Sequence, residues 1–377
     1  MIVIKEVTTK KEMKKFCDFP LELYKGNPYY CPPFYADEMS LINPKKNVYS
    51  DFADNKFWLA YKDGKVVGRI SAIINHAYMK KTGDKCARFT RFDVINDFEV
   101  SKALFEVAEK YAKDMGMERI NGPMGYCDMD REGMLVEGFD EYQVYGGSYN
   151  SPWCMEHVEK LGYVKQTDWI ERKLIIPEQV PEKITKFTAL IKEKYGLHDI
   201  VTNDSKVGKM IKDQKERLFK LLDICYEALH GTVPFTDRVR DNMVASISLI
   251  MQAKYLSIIE DKDGNLVGFG FLYGAFWKAL NKCKGKLLPT GAFRILRSKK
   301  KHDAVELCVI AVHPDWQKRG VTALIMERIM QNLIDGGIKY AETNATLVDN
   351  VMINNLWDGF EHVKHKRKRC YVKDLKD

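Results

Sequence analysis

The chain has 377 residues, 45% hydrophobic and 30% charged, with a net charge of +8, a composition typical of a globular protein long enough for two domains that each bury a core. It argues against a membrane span, since no apolar run approaches about 20 residues, and against a zinc or disulfide framework, since nine cysteines, an odd number, include no C-x-x-C pair. The N-terminal stretch has no apolar segment followed by small residues, so a signal peptide is not expected and a reducing cytoplasm is.

In chain order, the first strong signal is "FWLAYKDGKVVGRISAIIN", residues 57–75, an apolar run, an Asp-Gly turn and a second strand. Asp63-Gly64 marks a hairpin because such turns need positive φ. Gly68 marks a bulge or a close backbone approach. "RFDVINDFEVSKALF" then places Asn96, Asp97, Phe98 and Glu99 where a strand hands over to a helix. Leu104, Val107, Ala108 and Tyr111 recur at helical spacing, and Gly116 fits the helix end. Residues 155–174 read as a short helix, a Gly-aromatic pair and a strand. "PEQVPEKI", residues 177–184, has two prolines and no periodicity. It is the natural boundary between a domain at 1–178 and one at 185–377.

The second stretch repeats the first. "YLSIIEDKDGNLVGFGFLYG", residues 255–274, carries Asp263-Gly264 and Gly268 at the same offsets. Leu324, Met326, Ile329 and Leu333 repeat the helix, Gly336-Gly337 its end, and residues 354–375 the closing helix and strand. The expected fold class is α/β with mixed sheets, in two tandem units of similar layout. Aromatic residues at 225–235 and 273–283 are candidates for an acceptor pocket, with His230 among them. The basic run Lys364–Arg369 reads as a solvated strand rather than a nucleic-acid site, because Cys370-Tyr371-Val372 continues it without an aromatic platform.

The densest functional signal is the junction at 304–330. "AVELCVIAVHP" is apolar on both faces, as a central strand would be, and Pro314 ends it. "DWQKRG" makes a turn, with His313 expected to cap it, and a helix opens near Gly320. A helix start leaves N–H groups without partners and carries positive potential; Lys318 and Arg319 add charge. The assembly suits a pyrophosphate. Neither a Walker loop nor a G-x-G-x-x-G fingerprint is present. Asp97 and Glu99 would repel a pyrophosphate at the matching place in the first unit, so that unit is not expected to bind one. Glu306 is the only carboxylate of the strand and at period two shares a face with Cys308 and Ile310. Cys308, in an apolar strand with no histidine near it in sequence, is expected to be inert.

Val312, Pro314, Gln317, Gly320 and Thr322 follow the order Val-x-Pro-x-x-Gln-x-x-Gly-x-(Gly/Ala), which resembles the coenzyme A-binding motif of the GNAT acyltransferase superfamily, with Thr322 replacing the second small residue. The resemblance covers the whole chain. Stretches such as "LYKGNPYYCPPFYADE" (21–38), "GMLVEGFD" (133–140) and "GKLLPTGAFRILR" (285–297) are similar to those of a bacterial group of tandem GNAT-like proteins. The resemblance implies acetyl-CoA or another acyl-CoA as co-substrate, no metal, and transfer to a small-molecule or protein amine.

It also implies roles. The phosphates would sit on Gln317, Lys318, Arg319, Gly320, Val321 and Thr322. The pantetheine arm would pair with Ile310, Ala311 and Val312, in a slot opened where that strand splays from residues 340–346. Asn350 or Asn354 would contact it. Glu306 would take a proton from the amine. The family's thiolate-protonating tyrosine is replaced by Trp357, and Tyr371 or water would substitute. Two other readings remain at this point: an acyl-CoA sensor or scaffold without catalysis, and a Fem-like transferase using aminoacyl-tRNA.

Overall fold

The computed structural model describes residues 1–127, 129–203, 205–227, 229, 231–248 and 250–375. The first half comprises β1 (Ile2–Glu6), α1 (Lys10–Leu23), α2 (Tyr35–Ser40), β2 (Ala53–Lys62), β3 (Lys65–Asn75), α3 (His76–Thr82), β4 (Cys86–Val94), α4 (Phe98–Asp114), β5 (Arg119–Gly122), β6 (Met134–Glu137), α5 (Trp153–Lys160) and β7 (Val164–Ile175). The second comprises α6 (Glu182–Tyr195), β8 (His198–Asp199), α7 (Val207–Tyr226), α8 (Asp237–Ser248), β9 (Leu256–Glu260), β10 (Leu266–Gly274), α9 (Trp277–Cys283), α10 (Gly291–Lys300), β11 (Ala304–Val312), α11 (Val321–Asp335), β12 (Tyr340–Glu342), β13 (Thr346–Leu347), α12 (Val351–Asp358) and β14 (His362–Asp374).

The two halves repeat one plan. Hairpins β2–β3 and β9–β10 are each followed by a strand, a long helix and a parallel partner: β4, α4, β5, then β11, α11, β12. The first turn has positive φ at both Asp63 and Gly64, as the hairpin needs. Gly68 and Gly268 do the same work in both copies. A Cβ on Gly68 would stand 2.8 Å from Leu104, and one on Gly268 2.8 Å from Val321, so each glycine lets its long helix lie close against the sheet.

All strands join one sheet, with the main order β1-β2-β3-β4-β5-β14-β7-β12-β11-β10-β9-β8. The closing strands are therefore exchanged. β14, at the C-terminal end, lies against β5 of the first half, while β7 lies against β12 of the second, and the two pair antiparallel with each other. One hydrophobic core packs against α4 and α5 in the first half and another against α11 and α12 in the second; the largest mixes residues of both halves.

The exchange corrects one expectation. The basic run at 364–369 is strand, but it is not solvated: Lys366 is 2% and Lys368 1% exposed. Alternation sends both ammonium groups into the seam between the halves. There Lys366 Nζ lies 2.9 Å from Glu171 and 3.3 Å from Glu342, and Lys368 Nζ lies 2.5 Å from Glu171. Burial pushes the Glu171 carboxyl up, but Lys366 and Lys368 together outweigh it and hold it at about 2.

Candidate active site

Strand β11 and the turn after it build the candidate site. β11 pairs with β12 only over Ala304–Glu306. Beyond Glu306 the chains part, and the gap is spanned by Asn344, whose side-chain amide donates to the Cys308 carbonyl at 2.9 Å. Opposite β10 the register slips: Val309 faces Phe271 and Leu307 faces Leu272, which leaves Cys308 as an extra residue. The expectation that Glu306, Cys308 and Ile310 share one face therefore fails at Ile310. Cys308 packs toward the core shared by the halves, and Ile310 toward the core under α11.

The parting of the strands leaves a cavity of about 170 Å³ lined by Cys308, Val309, Ile310, Asn344, Asn350 and Trp357, among others. A second cavity of about 270 Å³ lies between the halves, lined by residues of both, including Phe34, Arg91, Tyr145, Tyr273 and Lys368. Met129, Glu132, Cys308, Asn344 and Ala345 line both, so the slot and the larger cavity adjoin.

The turn at 313–320 leads into α11. His313 caps it, its Nδ1 accepting from the Asp315 amide at 3.3 Å. Lys318 and Gly320 have φ of 62° and 86°. The left-handed conformation at Lys318 costs about 1 kcal/mol for a residue with a Cβ. Among the described residues, the amides of Lys318, Gly320, Val321 and Thr322 have no hydrogen-bond partner. Successive free amides in a kinked turn at a helix start make a concavity for an anion. Lys318 and Arg319 are exposed beside it, the Arg319 guanidinium 5.3 Å from the centre of the Trp316 ring. Gly320 is also required by α6: a Cβ there would stand 2.6 Å from Ile191 and 2.8 Å from Phe187.

Of the expected pantetheine contacts, Ile310 lines the slot, Ala311 is buried in the shared core, and the Val312 carbonyl accepts from Gln317 Nε2 at 3.5 Å and from Cys225 Sγ at 3.3 Å. Asn350 lines the slot and also caps α12, accepting from the Ile353 amide. Asn354 instead ties the preceding loop, donating to the carbonyls of Leu347 and Val348.

Glu306 is fully buried, and its Oε2 accepts from the Tyr145 amide at 2.8 Å and the Tyr273 hydroxyl at 2.9 Å. Burial raises its pKa to about 8, against which those two hydrogen bonds pull it down. Tyr145 and Tyr273 line the larger cavity, so Glu306 reaches it through the Tyr273 hydroxyl. Burial, with Glu306 adding to it, pushes the Cys308 thiol up to about 12, as expected of an inert cysteine.

Tyr371 is not at this site. The strand exchange carries it to the first half, where it is buried in that half's core and donates to Glu159 at 2.9 Å. Trp357 does line the slot; its indole N–H is buried without a partner among the described residues. Asn344 and the Glu171–Lys366–Lys368 cluster were not found from sequence, because both depend on strands distant along the chain. Tyr273 falls within the aromatic stretch read as a pocket wall; His230 lies outside the described residues.

The first half offers an internal comparison. Its long helix α4 is capped by the Asp97 carboxylate, which accepts from the Glu99 amide at 3.1 Å and pairs with Lys62. Its counterpart cavity is about 50 Å³, with Arg69 and Tyr24 both bonded to Asp93 beside it.

The sequence model of the Acetyltransferase (GNAT) family matches residues 215–357, which run from within α7 to within α12 and include the splayed strand and the amide turn. A tandem GNAT protein from the clavulanic acid biosynthesis pathway superposes with a TM-score of 0.55 at 12% identity, covering 100% of this chain and 99% of that one. The chain has a tandem GNAT fold. Two curated proteins resemble this chain in sequence: Protein YghO of Escherichia coli K12, 25% identical over 99% of this chain and 95% of that protein, and the bacterial ceramide synthase of Caulobacter vibrioides, 26% identical over 77% and 74%. Among its described residues, no helix is long and apolar enough to cross a membrane.

Proposed function

We propose that this protein is an acyl-CoA-dependent N-acyltransferase in which residues 185–377 hold the donor and the cavity between the halves receives the amine. The observation that carries the reading is the set of unpartnered amides at Lys318, Gly320, Val321 and Thr322, together with a slot that adjoins a larger cavity. Lys318, Arg319 and those amides would hold the phosphates; Ile310, Asn344, Asn350 and Trp357 would border the arm. Acyl-CoA supplies a thioester, and the protein's task is to orient it and to accept the amine's proton.

An amine of ordinary basicity must lose a proton to attack. In this reading the proton passes by way of the Tyr273 hydroxyl to Glu306, which becomes the acceptor as its carboxyl ionises with pH rising through about 8. Trp357 has no proton to give the departing sulfur and offers it only an N–H contact, so its proton comes from water. The first half, with Asp97 on its helix start, serves as the other wall of the acceptor cavity rather than as a second donor site.

The acceptor class favoured is an amine with an apolar tail. Phe34, Leu41, Val48, Met243, Ile247 and Ile250 line the cavity with the polar groups at Tyr145 and Tyr273, and one sequence relative is named a ceramide synthase. The test is thiol release from acyl-CoAs of several chain lengths across a panel of long-chain amines, small amines and peptides. Release with a long-chain amine, lost in Tyr273→Phe, is the expected result. A second reading, an acyl-CoA sensor, is favoured by Trp357 standing where a proton donor would serve; donor binding without thiol release for any amine supports it instead.

A further inference from the structure

We propose that the segment between β10 and β11 docks the protein on an anionic lipid surface. In the first half the equivalent strands β3 and β4 are joined by the single short helix α3. In the second half they are joined by α9, a loop and α10, an insertion that the repeated fold does not need.

Residues 281–302 of this insertion contain eight Lys or Arg (282, 284, 286, 294, 297, 299, 300, 301) and no Asp or Glu, in a chain whose whole net charge is +8. Arg294, Arg297 and Lys300 have no carboxylate partner among the described residues. Interleaved with them are apolar side chains held out in solvent: Leu288 is 82%, Phe293 69% and Leu296 44% exposed. At 100° per residue Phe293, Leu296, Arg297 and Lys300 fall on the same outward side of α10, opposite buried Ile295.

This exposure comes with a firmly built base. The Asn281 side chain donates to the carbonyls of Asn27 and Tyr30, the Tyr35 amide donates to the Gly285 carbonyl at 2.9 Å, and Ile295 is fully buried. A rigid support that presents leucine and phenylalanine among unpaired cations fits an interface where apolar groups enter the acyl region and cations meet phosphates. A nucleic acid would meet the cations but offers its backbone no place for exposed leucines. The insertion is fixed to residues 27–35, and Pro33 and Phe34 of that segment line the acceptor cavity, so the docked face and the cavity share a wall. The inference stands on surface chemistry and does not depend on acyl transfer.

The test is flotation of the full chain with phosphatidylcholine vesicles, with and without about one-third phosphatidylglycerol, alongside total RNA as a competing anion. The expected result is binding to the anionic vesicles only, weakened by salt. The bound fraction should fall at least tenfold in L288S/F293S, by loss of apolar insertion, and in R294E/R297E by loss of charge. Both variants should keep the parent's melting temperature and its acyl-CoA binding. Anionic vesicles that fail to bind the parent, or that bind L288S/F293S as well as the parent, overturn the proposal. So does retention on RNA that is unaffected by L288S/F293S and displaces the vesicles.

Discussion

An ionised carboxylate at Glu306 would lie in a fully buried place with one oxygen, Oε1, unpartnered among the described residues. The side chain therefore keeps its proton to about pH 8, whereas the unfolded chain releases it near its ordinary value of 4.5. The sign follows from linkage: with the folded pKa raised, the group's stability contribution is full below 4.5 and is lost as pH rises through about 8. Glu306→Gln should therefore unfold at a higher denaturant concentration than the parent at pH 9, with the difference vanishing at pH 4. In the transfer assay the parent's rate should climb through about pH 8, and Glu306→Gln should lose roughly a hundredfold or more and with it the climb. A pH profile unchanged by the substitution removes Glu306 from the proton path. Glu306 could be singled out from sequence because it is the only carboxylate in its strand. Its partner Tyr273 could be placed only loosely, since the pairing of β10 with β11 that brings the two together is a tertiary fact.

At the level of elements, the exchanged strands β7 and β14 meet in a seam that buries Glu171, Lys366, Lys368 and Glu342. Buried ions are tolerated there because each meets an opposite charge, and removing one partner leaves the others uncompensated. Lys366→Met should destabilise the protein by about 3–5 kcal/mol in urea unfolding; a loss below about 1 kcal/mol would mean the seam is hydrated and the pairs contribute little. Hairpins, long helices and the amide turn were legible in sequence because their signals are local: Asp63-Gly64 in a positive-φ turn, helical spacing from Leu104 to Tyr111, Pro314 and Gly320 around the turn. The burial of Lys366 and Lys368 was not legible. Alternation gives which residues of a strand share a face, but not that the facing neighbour supplies glutamates. The bulge at Cys308 was equally hidden, since no glycine or proline marks it, and it alone reversed the facing of Ile310.

Across the whole molecule, strand exchange and a mixed core tie the halves into a unit. Cleavage of the backbone within residues 177–181, between β7 and α6, should leave both pieces together as a single 43.6 kDa species in size exclusion. Separation into two folded fragments would contradict the exchange. Tyr371, expected at the donor site, shows what the exchange does to sequence reading: a residue at the end of the second half serves the core of the first. The central claim, that the free amides opening α11 hold the phosphates of an acyl-CoA, is tested most directly by calorimetric titration of acetyl-CoA into the parent and Thr322→Glu. A carboxylate in the first turn favours the helix, so the fold is kept, but it repels an anion bound there. Saturable binding by the parent, weakened at least tenfold in Thr322→Glu at an unchanged or higher melting temperature, is the predicted result. Equal affinity in the two proteins, or no binding by the parent, would contradict it.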